Sequence, residues 1–368
     1  MPEAVAASAV TQVLRQYARI AHAVYSDTWL QARALQRAVR HFLAAPDRAG
    51  LTQARAAWLA ARECYGQTEA FRFYGGPIDG DDGPEPRINS WPVDESFIDA
   101  VRGRPGAGLI QQREQVLDRQ ALVRLNTHDG EENVATGWHA IEFLLWGQDF
   151  SDMGPGDRPV TDFQDGGAPN ADRRRQYLAL VTDLLADDLA GLVAAWAPGR
   201  VNYRRGFESM GMEGLRAIVV GLGSLASAEL AGERLQVALA SRDQEDEQSC
   251  FSDNTHRDIV ADVRGLQNVW LGRYRPLQGA ALEGASLRDL VAMRDGALAE
   301  RLSTALGEAV AAAEAIQPPF DREIIGGPDA PGRQRVQRVV AALLRTTGLL
   351  VEAARLIGIS KLSWVRKA

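Results

Sequence analysis

The stretch from Val5 to Leu43, VAASAVTQVLRQYARIAHAVYSDTWLQARALQRAVRHFL, decides the fold class. Its apolar side chains return every third or fourth residue: Val10, Val13, Leu14, Tyr17, Ile20, Ala21, Val24 and Tyr25. That spacing lines one face of an α-helix, whereas a half-buried strand would alternate in steps of two. Pro46 closes the run, because proline has no amide to continue the helical ladder.

The same periodicity recurs outward from this helix. Thr52 reads as the N-cap of a second helix that passes through Trp58, Leu59, Arg62 and Glu69 to about Tyr74 and stops at Gly75-Gly76-Pro77. Residues 75–94 form a long loop rich in Gly, Pro and Asp, and loops of that length in a compact domain are often functional. Short helices are expected over 95–101 and 111–125, and a helix over 131–146 ended by Gly147. After a second loop, 149–168, Asn170 or Asp172 caps a helix that runs to Trp196. Pro198 and Gly199 mark a domain boundary. Long helices are predicted beyond it, over 211–243, 254–271, 286–315 and 330–357. No segment alternates as a strand would. The expected fold is all-α, with two helix bundles: one over 1–200, the other over 201–368.

Composition narrows the function. The chain has 368 residues, 41 basic and 48 acidic, a formal net charge of −7, and only two lysines, Lys361 and Lys367. A net negative chain without a basic block does not suit nucleic-acid binding, which needs phosphate neutralisation. Two cysteines cannot build a disulfide scaffold or a zinc ribbon, and five histidines cannot make a histidine-rich metal buffer. The longest apolar stretch, Ala217 to Ala228, is shorter than the roughly 20 residues a transmembrane helix needs. The start, Met1-Pro2-Glu3-Ala4, has neither the basic nor the apolar part of a signal peptide; it reads as cytoplasmic or as a chain trimmed of its signal.

One motif can be set aside. Gly221-Leu222-Gly223-Ser224-Leu225-Ala226 matches a dinucleotide-binding pattern, but that pattern needs a strand before it, and here it lies inside an apolar helical run. Small residues there serve close helix packing.

The informative motif is Gly137-Trp138-His139-Ala140-Ile141-Glu142. His139 and Glu142, three residues apart, share one helical face, an arrangement that recurs in metal sites inside helix bundles. The neighbours Ile141, Phe143, Leu144, Leu145 and Trp146 are apolar, so Glu142 must be paired, protonated or bound to a cation. A His139–Glu142 hydrogen bond in the core and a metal site both satisfy the spacing. The zinc-peptidase patterns H-E-x-x-H and H-x-x-E-H both fail, because Phe143 stands where their second histidine belongs. Peptidase chemistry is disfavoured.

Further acids have two readings each. Glu69 either pairs with Arg72 one turn on or serves as a ligand. Asp94, after Trp91-Pro92-Val93, either caps the next helix or serves as a ligand. Residues 243–256 hold five carboxylates and His256. They form either a solvated turn with Asp253 as a helix cap, or an oxygen-rich site for a hard cation such as iron or calcium.

These segments together resemble the imelysin-like family. The matching stretches are TEAFRF, GGPID, INSWPVDESFID, NVATGWHAIEFLLWGQD, GDRPVTDF, DRRRQYL, AELAGERL and DQEDEQSCFSDNTHRDI. They cover most of the chain and look closest to the iron-regulated branch. The resemblance implies two up-and-down four-helix bundles with a site at their interface built on the GxHxxE motif. It also implies export to the periplasm or cell envelope and a role in iron uptake or homeostasis. The family's presumed metallopeptidase activity is not supported by the motif. A non-metal envelope interaction module is the other alternative.

On this reading His139, Glu142, Glu69 and Asp94 are the metal ligands. Arg72, Trp91, Gly137, Glu247, Asp253 and His256 line or orient the site. The cofactor is iron, ferric or ferrous, with zinc or calcium as alternatives. The partners are the metal ion or an iron chelate and other envelope iron-uptake proteins. Relatives often carry a cysteine pair before the DRR stretch, which this chain lacks. Cys64 and Cys250 are either bonded across the halves or two separate buried thiols.

Overall fold

The computed structural model describes residues 6–360 and 362–364. Val5, the expected first residue of the first helix, the Met1–Ala4 start, and Lys361 and Lys367 lie outside the described residues. The long helices are α1 (Ala7–Ala44), α2 (Arg48–Tyr65), α3 (Gly137–Trp146), α4 (Ala171–Trp196), α5 (Met212–Ser241), α6 (Thr255–Leu271), α7 (Gly296–Glu314) and α8 (Pro331–Leu356). The chain is all-α, as its periodicity implied. The one sheet among the described residues is a hairpin of β1 (Arg273–Tyr274) and β2 (Leu282–Glu283), too short to show alternation in the sequence.

The eight apolar residues that define the face of α1 are all buried. That face packs along α2 and α4, and α3 lies across both of those helices. In the second half α6 packs on α7, α7 on α8, and α8 on α5. The halves share one apolar core. Tyr17 of α1 joins them locally. Its ring meets Phe71 at 5.1 Å, Trp196 at 5.9 Å and Phe207 at 5.2 Å, distances at which aromatic edges and faces attract.

Several boundaries differ from expectation, each for a local reason. The cap of α2 is Asp47, whose carboxylate accepts from the Gly50 amide at 2.7 Å, while the Thr52 hydroxyl donates back to the Arg48 carbonyl. After Tyr65 the chain tightens into a 3-10 turn, Gly66–Phe71, and leaves helical geometry at the extended Arg72, followed by Phe73 at a positive φ. The predicted 286–315 helix is broken: Leu287–Ala292 is a separate helix, and Asp295 caps α7. α3 begins at Gly137 rather than near Glu131.

α5 departs most. By length and composition it could cross a membrane, yet 83% of its apolar window is buried inside the fold, so here it is a core helix. Its middle, Ser224–Gln236, is wound as a π-helix. That pitch sets residues five apart side by side. Gly221, just before it, lies against the backbone of Arg72: a Cβ there would stand 2.7 Å from that carbonyl oxygen. The glycine pattern serves packing, as its helical setting implied.

Candidate functional site

α3 is placed by its first residue. Gly137 has φ +86°, and a Cβ on it would stand 2.4 Å from the Ile88 carbonyl oxygen. Only glycine fits both the dihedral and the approach. The Thr136 hydroxyl donates to Arg87 O at 2.9 Å, and the Trp58 indole donates to Trp138 O at 3.0 Å, fixing the first turn on the loop and on α2.

One turn on, His139 Nδ1 and Glu142 Oε2 are 2.8 Å apart, and both side chains are buried. The other Glu142 oxygen reaches the second half of the chain. Oε1 accepts from the Ser252 amide at 2.9 Å and from its hydroxyl at 2.6 Å. Burial pushes the Glu142 carboxyl up to about 8, against the lowering pull of the Ser252 bonds and of the Arg62 charge. The motif pair is therefore engaged with itself and with Ser252.

The other expected ligands are also occupied. Glu69 Oε2 accepts from Arg72 Nη1 and from Arg234 Nη2, each at 2.6 Å. Burial would raise this carboxyl, but the two guanidinium groups outweigh it and hold it down at about 2. Arg72 also pairs with Glu85 at 2.8 Å. Arg234, held on the π-turn, further bonds Glu229, Gln248 and Asp262. Glu69 is thus the acid of a buried ion-pair network, the pairing its spacing to Arg72 allowed. Asp94 caps the one-turn helix Glu95–Ile98 through the Ser96 amide at 3.0 Å, and its side chain is 41% exposed. It acts as a cap. Trp91, half-buried, lines a separate acidic cavity with Glu85 and Glu233.

A second buried arginine links the halves beside α3. Arg62 Nε donates to Asp258 at 3.0 Å and Nη1 donates to Asn89 at 2.8 Å, with the guanidinium over the Tyr65 ring at 5.2 Å. Asp258 also accepts from the Ser249 hydroxyl, which fixes the loop that carries Ser252.

The acidic run of 243–256 splits in two. Asp243, Glu245 and Asp246 stay wholly or partly exposed, as a solvated turn would. Glu247 and Asp253 are buried. Asp253, in left-handed backbone at φ +56°, is not a helix cap; Asn254 takes the capping position. The Asp253 carboxylate meets Asp149 and Asp321, with one oxygen of each within 4.8 Å of the others. Asp149 follows α3 and its glycine cap Gly147, and Asp321 opens a one-turn helix after Pro318-Pro319. Glu247 stands beside Asp321.

These acids have almost no donors. Asp149 Oδ1 accepts from the Ser151 amide at 2.9 Å. Asp149 Oδ2 and both oxygens of Glu247, Asp253 and Asp321 are buried without a hydrogen-bond partner among the described residues. Burial first, then repulsion among the group, pushes Asp149 up to about 6 and Asp253 up to about 9, and raises Glu247 as well. Asp253 also faces a cavity of about 570 Å³ lined by Ser252, Asn254, His256 and Glu63. His256 Nδ1 lies 3.0 Å from the Asp253 carbonyl oxygen, which can only accept; Nδ1 therefore carries the proton and Nε2 keeps a lone pair.

The sequence model of the Imelysin family matches residues 21–350. The chain belongs to the imelysin family. It is 26% identical over 326 residues to Iron-regulated protein A of Synechococcus elongatus, a match covering 86% of this chain and 78% of that one. Solved structures share its fold. A protein from Parabacteroides distasonis described as an iron-regulated protein A precursor superposes with a TM-score of 0.74 at 18% identity, over 96% of each chain. An imelysin-like protein from Psychrobacter arcticum superposes with a TM-score of 0.68 at 16% identity, over 97% of this chain and 98% of that one.

Within this imelysin chain, sequence reasoning brought together His139 with Glu142, and Glu69 with Arg72, but it missed Asp149, Asp321, Arg62 and Arg234. Asp149 carried a usable signal: an acid directly after the apolar motif helix, at the head of a glycine-rich loop. Cys64 and Cys250 are two separate buried thiols, the second of the two open readings. Burial pushes the Cys64 thiol up to about 12 and raises Cys250, which leaves both unreactive.

Proposed function

We propose that this imelysin-family chain is an iron-handling protein of the cell envelope that takes iron, as the ion or as a chelate, at the junction of its two halves. The observation that carries the reading is the meeting of the two family segments. Glu142 of α3 grips Ser252, and beside that grip a cavity opens onto the Asp253 carboxylate and His256. Oxygen donors with one imidazole suit iron better than the thiolate-rich sets that softer metals prefer. The name of the cyanobacterial relative points the same way.

In this proposal His139, Glu142 and Arg62 are positioning residues. They hold the loop of Ser252 and Asp253 against the first half and do not themselves ligate. The halves 1–200 and 201–368 act as two bundles meeting at that junction, and other envelope proteins of iron uptake deliver or receive the cargo. Calorimetric titration of chelator-stripped protein with ferric citrate and with ferrous iron tests the reading. Uptake of one equivalent of either supports it, and the absence of any binding heat with both overturns it.

A further inference from the structure

We infer that Asp149, Glu247, Asp253 and Asp321 form an all-oxygen centre for a single hard cation, trivalent in preference to divalent. Glu247 and Asp253 belong to the acidic run whose second reading is an oxygen-rich cation site, and Asp149 and Asp321 are not singled out by the sequence at all. The inference rests on the proposed function only for the identity of the physiological cation. The centre itself stands on geometry.

The first observation is spacing. Two oxygens on opposite sides of a hard cation of calcium size are about 4.6–5.2 Å apart, twice the usual metal–oxygen distance. The oxygens of Asp149, Asp253 and Asp321 fall within 4.8 Å of one another. The second observation is independent of that triad. Glu247 is 1% exposed, and both of its carboxylate oxygens are buried beside Asp321 without a formed hydrogen bond among the described residues, the Thr255 hydroxyl being a donor group nearby. A buried carboxylate ordinarily takes hydrogen bonds or an arginine, because losing water without compensation is costly. This protein supplies arginines to such groups elsewhere: Glu69 and Asp99 have two each and Asp258 has one. The four acids have none among the described residues. A cation is the partner that such a group lacks.

Charge and donor type select its class. Four ionised carboxylates carry four negative charges, so a divalent ion leaves two uncompensated in a buried site and a trivalent ion leaves one. Oxygen-only donors favour hard ions over zinc or copper. Three separate segments supply the ligands. Asp149 comes from the loop after α3, Glu247 and Asp253 from the loop before α6, and Asp321 from the turn after α7. The first two loops are already tied by the Gly156 amide bonding Phe251 O at 3.0 Å and by Gln244 Nε2 bonding Asp149 O at 2.8 Å.

The test uses the full chain, stripped with chelator, with terbium(III), calcium and ferric nitrilotriacetate as calorimetric probes. Wild type is expected to take one terbium at least tenfold more tightly than calcium, and Asp321→Asn and Glu247→Gln each to weaken terbium at least tenfold. The melting temperature of the metal-free protein separates ligation from scaffolding. Neutralising one member of a self-repelling group leaves it unchanged or raises it, whereas loss of a structural contact lowers it. Terbium binding unaltered in both variants, or no terbium binding by folded wild type, overturns the inference. Ferric binding that survives in both variants also overturns it while leaving the proposed function standing. Terbium binding lost in both variants, with no ferric binding by wild type, supports the centre and removes iron as its cargo.

Discussion

Glu142 and Ser252, 110 residues apart, are joined by two hydrogen bonds to one carboxylate oxygen, 2.9 Å from the amide and 2.6 Å from the hydroxyl. The bonds reach from the family motif in α3 to the residue before Asp253, so in the proposed reading the motif positions an acid of the cation centre. Ser252→Ala removes the hydroxyl and leaves a buried carboxyl with one donor fewer. The expected loss is about 1–3 kcal/mol in urea unfolding, together with weaker cation binding. Unchanged stability with unchanged binding would show that the bond positions nothing.

Arg234 satisfies Glu69, Glu229 and Asp262 at once, and all four side chains are buried. Removing one partner of a buried ion pair strands its counter-charges, at a cost of about 3–5 kcal/mol. Arg234→Met is expected to lose at least that much. A double variant with Glu69→Gln is expected to recover part of the loss, since one stranded charge is gone. Strict additivity in a double-mutant cycle of denaturation midpoints would contradict the network.

The same network sets an acid limb of stability. Glu69 is held at about 2 in the folded chain, below its ordinary value near 4.5, by Arg72 and Arg234 acting against burial. A lowered acid contributes stability that is present above the unfolded value and is lost as pH falls through the folded one. At about 1.4 kcal/mol per unit, Glu69 contributes on the order of 3 kcal/mol, lost between about pH 4.5 and 2. Melting temperature against pH is expected to fall less steeply over that window in Glu69→Gln than in wild type. Parallel curves would refute the assignment.

Gly137 is the first residue of the GxHxxE motif, and its role is backbone fit. Gly137→Ala places a Cβ 2.4 Å from the Ile88 carbonyl oxygen at a φ of +86°. The left-handed conformation alone costs roughly 1–2 kcal/mol, and the clash adds to it. The variant is expected to melt well below wild type with or without cation. Wild-type melting would mean that the glycine serves some other need.

The fold was legible where the signal was local. The face of α1 could be read because apolar residues at helical spacing have no other use for that order. The start of α3 could not, because it depends on the loop of Ile88, which packs against Gly137. The π-winding of α5 escaped for a related reason. Glu229 and Arg234, five apart, are not neighbours on an α-helix and become so only when the buried network around Glu69 fixes the wider pitch. The site followed the same rule. Pairs three residues apart, His139 with Glu142 and Glu69 with Arg72, were visible as pairs. Their burial left ligation as a second reading beside the pairing. Asp149 and Asp321 carry no local pattern with Asp253; only the packing of three loops brings them together.

The most direct test is an anomalous difference map at the iron edge from crystals grown with ferric nitrilotriacetate. The account predicts one peak enclosed by the carboxylates of Asp149, Glu247, Asp253 and Asp321, with His139 and Glu142 still bonded to each other and to Ser252. A peak at the His139 imidazole, with Glu142 turned away from Ser252 towards it, would contradict the account.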